Sequence, residues 1–202
     1  MDNESSIFKK ISNAKAPMYV PKMNEYIDFE ITKLEGFFSV LHFHSGAFTP
    51  SVLQELKCFV EKSKAMIHDE YNLVSISCDN PSALKAFSRL SQAKGGLGGL
   101  SNVLVADRTG EICKALQVYD ERNHRAFPSY IILDKDMKIV AKFTGDHNVS
   151  LNPEQVLDVL KQVMTPTKAK TKHSEGEIKK PSEVSGGQTN GDTDKEEVKV
   201  KA

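Results

Sequence analysis

The residues best suited to chemistry in this chain are its three cysteines, because a thiolate can act as a nucleophile or as a metal ligand. Cys58, Cys78 and Cys113 are widely separated and form no CxxC pair. This spacing favours reduced, buried thiols in a cytosolic protein over disulfides. Cys78 follows an apolar run that should end at the carboxyl edge of a sheet, where α/β proteins place their functional sites. It is therefore the thiol that we expect closest to such a site.

Two histidines, His42 and His44, alternate along one predicted strand, so their side chains should lie on the same face of the sheet. A metal site would need a third ligand, for which His124 and His147 are candidates only by their position. The simpler interpretation is that both histidines replace aromatic residues on the strand. We therefore predict no bound metal and no cofactor.

A glycine-rich segment over residues 94–100 is the third candidate, because glycine-rich loops can cradle phosphate groups. No Lys-Ser or Lys-Thr pair follows the glycines, so the segment lacks the residues that a P-loop uses to bind phosphate and Mg²⁺. The pattern predicts a loop without a phosphate site.

The segment that must position these residues begins as a strand. Residues 37–43 are apolar or β-favouring almost throughout, which is typical of a central strand covered on both faces. The pattern breaks at residues 45–46, and a helix follows with Thr49 as a candidate N-cap and Pro50 in its first turn. A helix N-terminus above the carboxyl end of a strand favours an anion. We therefore expect the functional site of this chain at this junction.

Strands and amphipathic helices alternate along the rest of the chain, which predicts an α/β fold with a parallel pair and a right-handed crossover. The strand of residues 37–44 should lie in the middle of the sheet. Further strands are predicted within 25–34 at an edge, over 71–78, 103–107 and 130–133, and over 138–143 as a hairpin partner; helices are predicted over 50–67, 83–93, 109–116 and 154–164.

Composition and charge limit the classes of function. The 27 basic side chains balance the 27 acidic ones, so the chain has no net field that would attract nucleic acid or an acidic membrane. The first residues lack a signal-peptide pattern, and no apolar run approaches the roughly 20 residues that span a bilayer. We expect a cytoplasmic protein with neither a membrane nor a nucleic-acid partner.

Three regions differ in composition. Residues 1–15 predict an N-terminal arm, and residues 16–164 carry the alternating strands and helices of one domain. Residues 165–202 contain no aromatic side chain and mix charges of both signs, so they cannot bury enough apolar surface to order themselves. They predict a disordered polyampholyte tail.

The junction after the central strand also carries a sequence resemblance. The frame Phe-Thr-x-x-Cys is matched by Phe48-Thr49-Pro50-Ser51-Val52, except for its cysteine. A Gly-Gly-Leu-Gly loop of the same family is matched by Gly95-Gly96-Leu97-Gly98. The chain resembles the peroxiredoxins of the AhpC/TSA family, in particular the typical two-cysteine members. Their thioredoxin-like fold is a central mixed sheet flanked by helices. The resemblance spans about 16–164 and includes Ala16-Pro17-Met18-Tyr19, Ala106-Asp107 and Ile131-Ile132-Leu133-Asp134.

The residues that the resemblance makes responsible for peroxide reduction are replaced. Val52 stands at the position of the peroxidatic cysteine, Ser45 at that of a proline, and Pro128 at that of the catalytic arginine, whereas Thr49 is kept. Arg125 would substitute for that arginine only if the loop differed. These residues define a vestigial pocket in which no catalytic residue is expected.

The three cysteines do not obviously replace the missing ones. No cysteine follows Cys113, so the resolving cysteine of the family is absent. Cys58 lies six residues after Val52 and about 240° around the helix, so it points elsewhere. Cys113 should be a core residue within a helix. Cys78 is left as the candidate displaced thiol.

Pro128 suggests another relationship, because a proline immediately before this strand is the hallmark of thioredoxins, where its peptide bond is cis. Both isomers remain open from the sequence.

Three functions follow from these features. The chain could be a catalytically inactive peroxiredoxin homologue that acts by binding or assembly. It could be a thioredoxin-dependent thiol peroxidase, an antioxidant enzyme that reduces hydroperoxides with the displaced thiol Cys78. It could also be a thioredoxin-like module that binds extended peptides through the Pro128 loop. The resemblance implies a homodimer, or a hetero-oligomer with active relatives, and thioredoxin as a further partner.

Overall fold

The computed structural model describes residues 15–34, 37–63, 66, 71–100, 102–147 and 150–171, with residues 166–171 as backbone only. The predicted N-terminal arm, 1–15, lies almost wholly outside the described residues, and the predicted tail does so from residue 172 onward. The helices in this part of the chain are too short or too polar to cross a bilayer.

The described residues form a mixed sheet of seven strands and a separate two-stranded sheet, with helices on both sides of the large sheet. The strands are β1 (Ala16–Val20), β2 (Glu25–Phe29), β3 (Phe38–Phe43), β4 (Tyr71–Ser77), β5 (Val103–Ala106), β6 (Tyr119–Asp120), β7 (Arg125–Ala126), β8 (Ser129–Asp134) and β9 (Ile139–Thr144). The helices are α1 (Pro50–Ser63), α2 (Pro81–Arg89), α3 (Glu111–Ala115) and α4 (Pro153–Thr171), and short 3₁₀ turns occur at Ile31–Lys33 and Gln92–Lys94.

The central strand lies where the sequence predicts it. The order of the large sheet is β2-β1-β5-β4-β3-β8-β9, so β3 is an interior strand, parallel to β4 and antiparallel to β8. All six of its residues are buried, because helices cover both faces. The predicted edge strand is β2, and the predicted hairpin is β8 with β9. The thioredoxin-like α/β fold, a central mixed sheet flanked by helices, is thus confirmed.

Alternation along β3 divides the interior into two cores. Leu41 and Phe43 point into the first core, which also contains the side chains of α3 and of β6 and β7. Phe38 and Val40 point into the second core, which α1, α2 and α4 cover. Residues of one strand that differ by one position therefore serve different sides of the sheet, and this division decides where each candidate residue lies.

Helix boundaries differ from the predictions at three places. α1 ends at Ser63 rather than near residue 67, and α2 ends at Arg89 rather than near 93. α4 continues to Thr171, beyond the predicted end of the domain at residue 164. Composition marks where the apolar face of a helix ends, but the helical backbone can continue beyond that point. At the predicted end of α4, the Thr165 hydroxyl donates a hydrogen bond to the carbonyl of Lys161.

The glycine loop forms the end of α2. The amides of Leu97, Gly98 and Gly99 donate to carbonyls of residues 87, 90 and 88, which the helix leaves without partners. A Cβ at Gly96 would lie 2.2 Å from the Leu90 carbonyl oxygen, so the turn requires glycine there. Because these amides are occupied, they are not available to a phosphate, which agrees with the predicted absence of a phosphate site.

Candidate functional site

The candidate site is the turn that joins β3 to α1. The carbonyl of Thr49 accepts the first helical hydrogen bond, from the Leu53 amide at 3.3 Å. The Thr49 hydroxyl donates to the carbonyl of Gly46 at 3.0 Å, so the residue fixes the turn that precedes the helix. Phe48 adopts a positive φ of 64°. Its ring packs edge-to-face against the ring of Phe87, with 5.1 Å between the ring centroids, and 43% of its surface is exposed.

A carboxylate from the neighbouring strand holds this turn in place. Asp79 follows β4 and accepts a hydrogen bond from the Ala47 amide at 2.7 Å and another from the Ser77 hydroxyl at 2.9 Å. The sequence marks Asp79 only as part of a turn, and its contact with Ala47 depends on the pairing of β3 with β4. An amide near the N-terminus of α1 that could face a bound anion is therefore already occupied by a protein carboxylate.

Val52, to which the resemblance assigns the position of the nucleophile, is part of the core. Val52 is only 4% exposed and packs in the second core beneath the first turn of α1. Its side chain contributes apolar contacts and offers no group for acid–base, nucleophilic or metal chemistry. Ser45 is half-buried in the turn itself, three residues before Phe48.

Pro128 lies at the same edge of the sheet. Ser129 is opposite Phe43 in the register of β8 with β3, which places Pro128 next to His44. The peptide bond before Pro128 is trans. The carbonyl of Pro128 accepts a hydrogen bond from the Gly145 amide at 2.8 Å. The structure therefore brings Ser45, Thr49, Val52 and Pro128 to one end of β3, as the resemblance implies.

Arg125 does not belong to this turn. It lies in β7, opposite Asp120 of β6, and its Nε atom is buried without a hydrogen-bond partner in the described residues. Asp120 binds His147 instead, at 2.7 Å, and this contact joins the two-stranded sheet to the end of β9. Substitution of Arg125 for the catalytic arginine stays a prediction.

His42 is part of a buried polar network behind the turn. Its Nε2 lies 3.2 Å from Oε2 of Glu55, and its Nδ1 lies 3.3 Å from the hydroxyl of Ser75. Asn102 donates to the same hydroxyl at 3.0 Å, and Ser150 donates to the other oxygen of Glu55 at 2.6 Å. The sequence suggests Glu55 only as a residue on the same helical face as Val52, Leu56 and Phe59.

His44 is the buried residue closest to the turn in sequence. Burial lowers the pKa of His44 to about 3, and the charge of His42 acts in the same direction. Neither ring nitrogen has a hydrogen-bond partner in the described residues. The residue is therefore neutral at physiological pH, and its ring lies 5.5 Å from that of His42.

The histidine metal site does not form. His124 is exposed beside the Tyr119 hydroxyl, and His147 binds Asp120, so neither joins His42 and His44. Within the described ranges, the one group of three potential ligand residues whose ligand atoms lie within 4.8 Å of one another contains no histidine; it consists of Cys78, Asp107 and Cys113. Both strand histidines are buried, as core aromatic residues at these positions would be.

The cysteines lie away from the turn. Cys58 is half-buried on α1, and Cys113 is fully buried in α3, as predicted. Cys78 packs against the first core, whereas Val52 lies in the second. Cys78 therefore follows β4 on the face of the sheet opposite Val52, and its role as a displaced thiol stays a prediction. A sequence predicts the edge at which a strand ends, but not the face to which a residue after the strand turns.

A separate surface groove of about 490 Å³ lies beside the glycine loop. Lys22 and Arg89 give it positive charge, and Tyr19 and Asn24 are joined by a 3.0 Å hydrogen bond in its wall. The sequence contains no motif that would have identified this groove, because its residues come from β1, the following turn and the end of α2.

The turn and the strands around it lie within a region that matches a known protein family. The model of the AhpC/TSA family matches residues 12–142, which include the turn, the glycine loop and both strands that flank Pro128. The chain belongs to the AhpC/TSA family. In this chain, Val52 stands where the motif Phe-Thr-x-x-Cys, which carries the resemblance, has cysteine.

Individual relatives of this AhpC/TSA protein are distant. It is 24% identical over 144 residues to a protein of Encephalitozoon cuniculi named for thioredoxin peroxidase, covering 69% of this chain and 81% of that one. It is 25% identical over 132 residues to thioredoxin peroxidase of Trypanosoma brucei rhodesiense, covering 65% and 66%. The reduced 2-Cys peroxiredoxin of Plasmodium vivax superposes with a TM-score of 0.69 at 19% identity, covering 77% of this chain and 80% of that one. That similarity supports the fold.

The buried neutral His44 should make the protein sensitive to acid. The unfolded chain protonates this histidine below about pH 6.5, whereas the folded protein resists protonation down to a pKa of about 3. The unfolded state therefore binds more protons in this window, and stability falls as the pH falls, by up to about 1.4 kcal/mol per pH unit. Urea unfolding of the wild type and of His44→Phe at about pH 7 and about pH 5 measures the effect.

The variant should lose less stability between the two pH values than the wild type does. His124→Asn, which removes an exposed histidine, serves as the matched control and should keep the wild-type pH dependence. Equal pH dependence of His44→Phe and wild type would show that His44 is not the group that resists protonation.

Proposed function

We propose that this AhpC/TSA protein is a catalytically inactive peroxiredoxin homologue that acts by binding or assembly. The observation that carries the proposal is Val52, a buried aliphatic residue at the position of the peroxidatic cysteine. Peroxide reduction by this family's chemistry needs a thiolate that attacks the peroxide oxygen and forms a covalent intermediate. A valine side chain cannot do so.

The surroundings of Val52 support the same conclusion. Pro128 replaces the arginine that would stabilise a thiolate and the developing charge on the peroxide. The Ala47 amide donates to Asp79, and the Thr49 hydroxyl donates to Gly46, so two polar groups of the turn are engaged within the protein. Restoring one cysteine would therefore not restore the complete arrangement.

Assembly is the remaining inherited property. Phe48 at the turn and Phe37 before β3 are each more than two-fifths exposed, and Tyr26 and Val140 are exposed on the edge strands β2 and β9. Exposed apolar residues, two of them on the edge strands, suit an interface. We propose a homodimer, or a hetero-oligomer with active relatives, in the cytoplasm, with no membrane or nucleic-acid partner. One solved relative, Prx1a of Plasmodium yoelii modified at its N-terminus, is described as forming an artifactual octamer.

A thioredoxin-dependent peroxidase that uses Cys78 is the second candidate. Two relatives are named for thioredoxin peroxidase, and Cys78 is half-buried rather than fully enclosed. A hydrogen bond from Cys113 lowers the pKa of Cys78, which increases its thiolate fraction, although its burial and nearby carboxylates oppose this. The third hypothesis, peptide binding through the Pro128 loop, stays a prediction, which capture of extended peptides that depends on Pro128 would test.

Purified protein should reduce hydrogen peroxide no faster than a free thiol does. The loss of an essential nucleophile costs several orders of magnitude in rate, because no group at position 52 can form the covalent intermediate. Peroxide consumption coupled to a thioredoxin reducing system measures this. Val52→Cys should recover part of the activity, and Val52→Cys combined with Pro128→Arg should recover more.

Cys78→Ser is the matched control for the second candidate, and Cys58→Ser controls for loss of any thiol. A wild-type rate constant above about 10⁴ M⁻¹s⁻¹ would contradict inactivity. If that rate disappeared in Cys78→Ser but persisted in Cys58→Ser, the second candidate would replace the first.

The wild type should be a dimer, because the exposed apolar side chains at the turn and at the sheet edges favour burial against a second copy. Light scattering at high micromolar concentration measures the mass of the particle. A monomer at that concentration would remove homodimerisation, and assembly with an active relative would then need a direct binding measurement.

A further inference from the structure

Two of the three cysteines meet on the face of the sheet opposite Val52. The Sγ atoms of Cys78 and Cys113 and a carboxylate oxygen of Asp107 all lie within 4.8 Å of one another. Cys78 follows β4 and Asp107 follows β5, and these parallel strands end at the same edge. Cys113 comes from α3, so the fold alone brings the two thiols together.

Hydrogen bonds hold the three residues in this arrangement. The Asp107 amide donates to the carbonyl of Ser77 at 2.8 Å, which joins the end of β5 to the end of β4. Oδ2 of Asp107 accepts a hydrogen bond from the Cys113 amide, also at 2.8 Å, which fixes α3 against the same edge. The carboxylate is only 2% exposed, so it lies within the protein beside both sulfur atoms.

The two thiols differ in exposure and in acidity. Cys78 is half-buried, whereas Cys113 has no exposed surface. Hydrogen bonding with the neighbouring Cys113 thiol lowers the pKa of Cys78, against the effect of burial. The same hydrogen bond, together with burial and the charge of Asp107, raises the pKa of Cys113. The accessible sulfur is thus the nucleophile, and the buried sulfur keeps its proton until a base accepts it.

We propose that Cys78 and Cys113 form a dithiol–disulfide couple that exchanges with disulfides of low-molecular-weight thiols. The proposal uses neither Val52 nor a peroxide, so it is independent of the function proposed above. It assigns chemistry to thiols that the family's own pattern leaves without a role in this chain.

The exchange has two steps. The Cys78 thiolate attacks one sulfur of the disulfide RSSR; the S–S bond breaks, and its electron pair leaves on RS⁻, which takes a proton from water. Cys113 then transfers its proton to the carboxylate of Asp107 and attacks the sulfur of Cys78. The bond between Cys78 and the second RS group breaks, and that RS⁻ takes the proton from Asp107. Two protein thiols are oxidised to one disulfide, and RSSR is reduced to two RSH.

The required movement is small. The two sulfur atoms must close from no more than 4.8 Å to the ~2.05 Å of a disulfide. α3 has five residues and begins after Gly110, which adopts a φ of 70°. A short helix attached through a glycine can shift toward β4 without breaking the hydrogen bonds of the large sheet. The carboxylate that accepts the proton is already in place.

Treatment of the full chain with oxidised glutathione tests this proposal. Protein purified under reducing conditions is first analysed for bound metal, then oxidised, alkylated with iodoacetamide and mapped by mass spectrometry. Wild-type protein should contain the Cys78–Cys113 disulfide with Cys58 alkylated. Cys113→Ser should keep one glutathione on Cys78, with a lifetime at least about tenfold longer than in the wild type, because the second step is removed. Cys58→Ser should form the disulfide as the wild type does.

Three results would overturn the proposal. One is a stable glutathione adduct on Cys78 of the wild type, and another is reaction confined to Cys58. The third is stoichiometric zinc in the purified protein that protects both thiols from alkylation, which would make the group a metal site. The wild-type map decides even if Cys113→Ser fails to fold, and Cys113→Ala repeats the variant without a polar atom. Peroxide turnover through Cys78 would refute the inactive function and leave this couple intact.

Discussion

The buried contact between His42 and Glu55 is the interaction on which the geometry of the site depends. It joins the C-terminal end of β3 to the second turn of α1, and both side chains are at least 95% buried. Burial alone would raise the pKa of Glu55, but hydrogen bonds to His42 and Ser150 and the charge of His42 outweigh burial and lower it. Removing one partner of such a buried pair typically costs about 3–5 kcal/mol, because the other is left uncompensated. α1 is therefore held in one orientation over the end of β3.

This orientation explains why the family's turn persists without its chemistry. With α1 fixed by Glu55, the residue one turn earlier, Val52, points into the second core and adds apolar contacts. Thr49 and Asp79 complete the turn by hydrogen bonds within the protein. Each of these interactions stabilises the fold whether or not a nucleophile is present, so loss of the cysteine leaves the frame intact. Across the sheet, the half-buried Cys78 lies beside the fully buried Cys113.

Much of the fold could be predicted from local pattern, because strand alternation and helical periodicity report directly on burial. The interior position of β3 and the β8–β9 hairpin follow from such patterns, and Phe48-Thr49-Pro50 identified the turn. Long-range pairing could not be predicted in the same way. The approach of Cys78 to Cys113 requires the order β5-β4-β3 and the path of α3, which no local spacing encodes.

Glu55 illustrates a signal that was present but weak. Its spacing from Val52, Leu56 and Phe59 places it on the apolar face of α1, where a charged side chain needs a partner. His42, which also points to the second core from β3, is the partner that this argument would have required. The continuation of α4 beyond residue 164 is opposed by the sequence, because Pro166 favours the end of a helix, yet the backbone of α4 continues to Thr171.

The central claim is that the turn lacks the groups that activate a thiolate, and not only the cysteine itself. The pKa of a cysteine introduced by Val52→Cys, measured from the pH dependence of its alkylation rate in a background without Cys58 and Cys78, tests this most directly. The account predicts a pKa at or above the ordinary value of about 8.5, because position 52 is buried, Pro128 replaces an arginine, and Asp79 occupies the Ala47 amide. A pKa below about 7 would show that the turn still activates a thiolate, and would contradict the account.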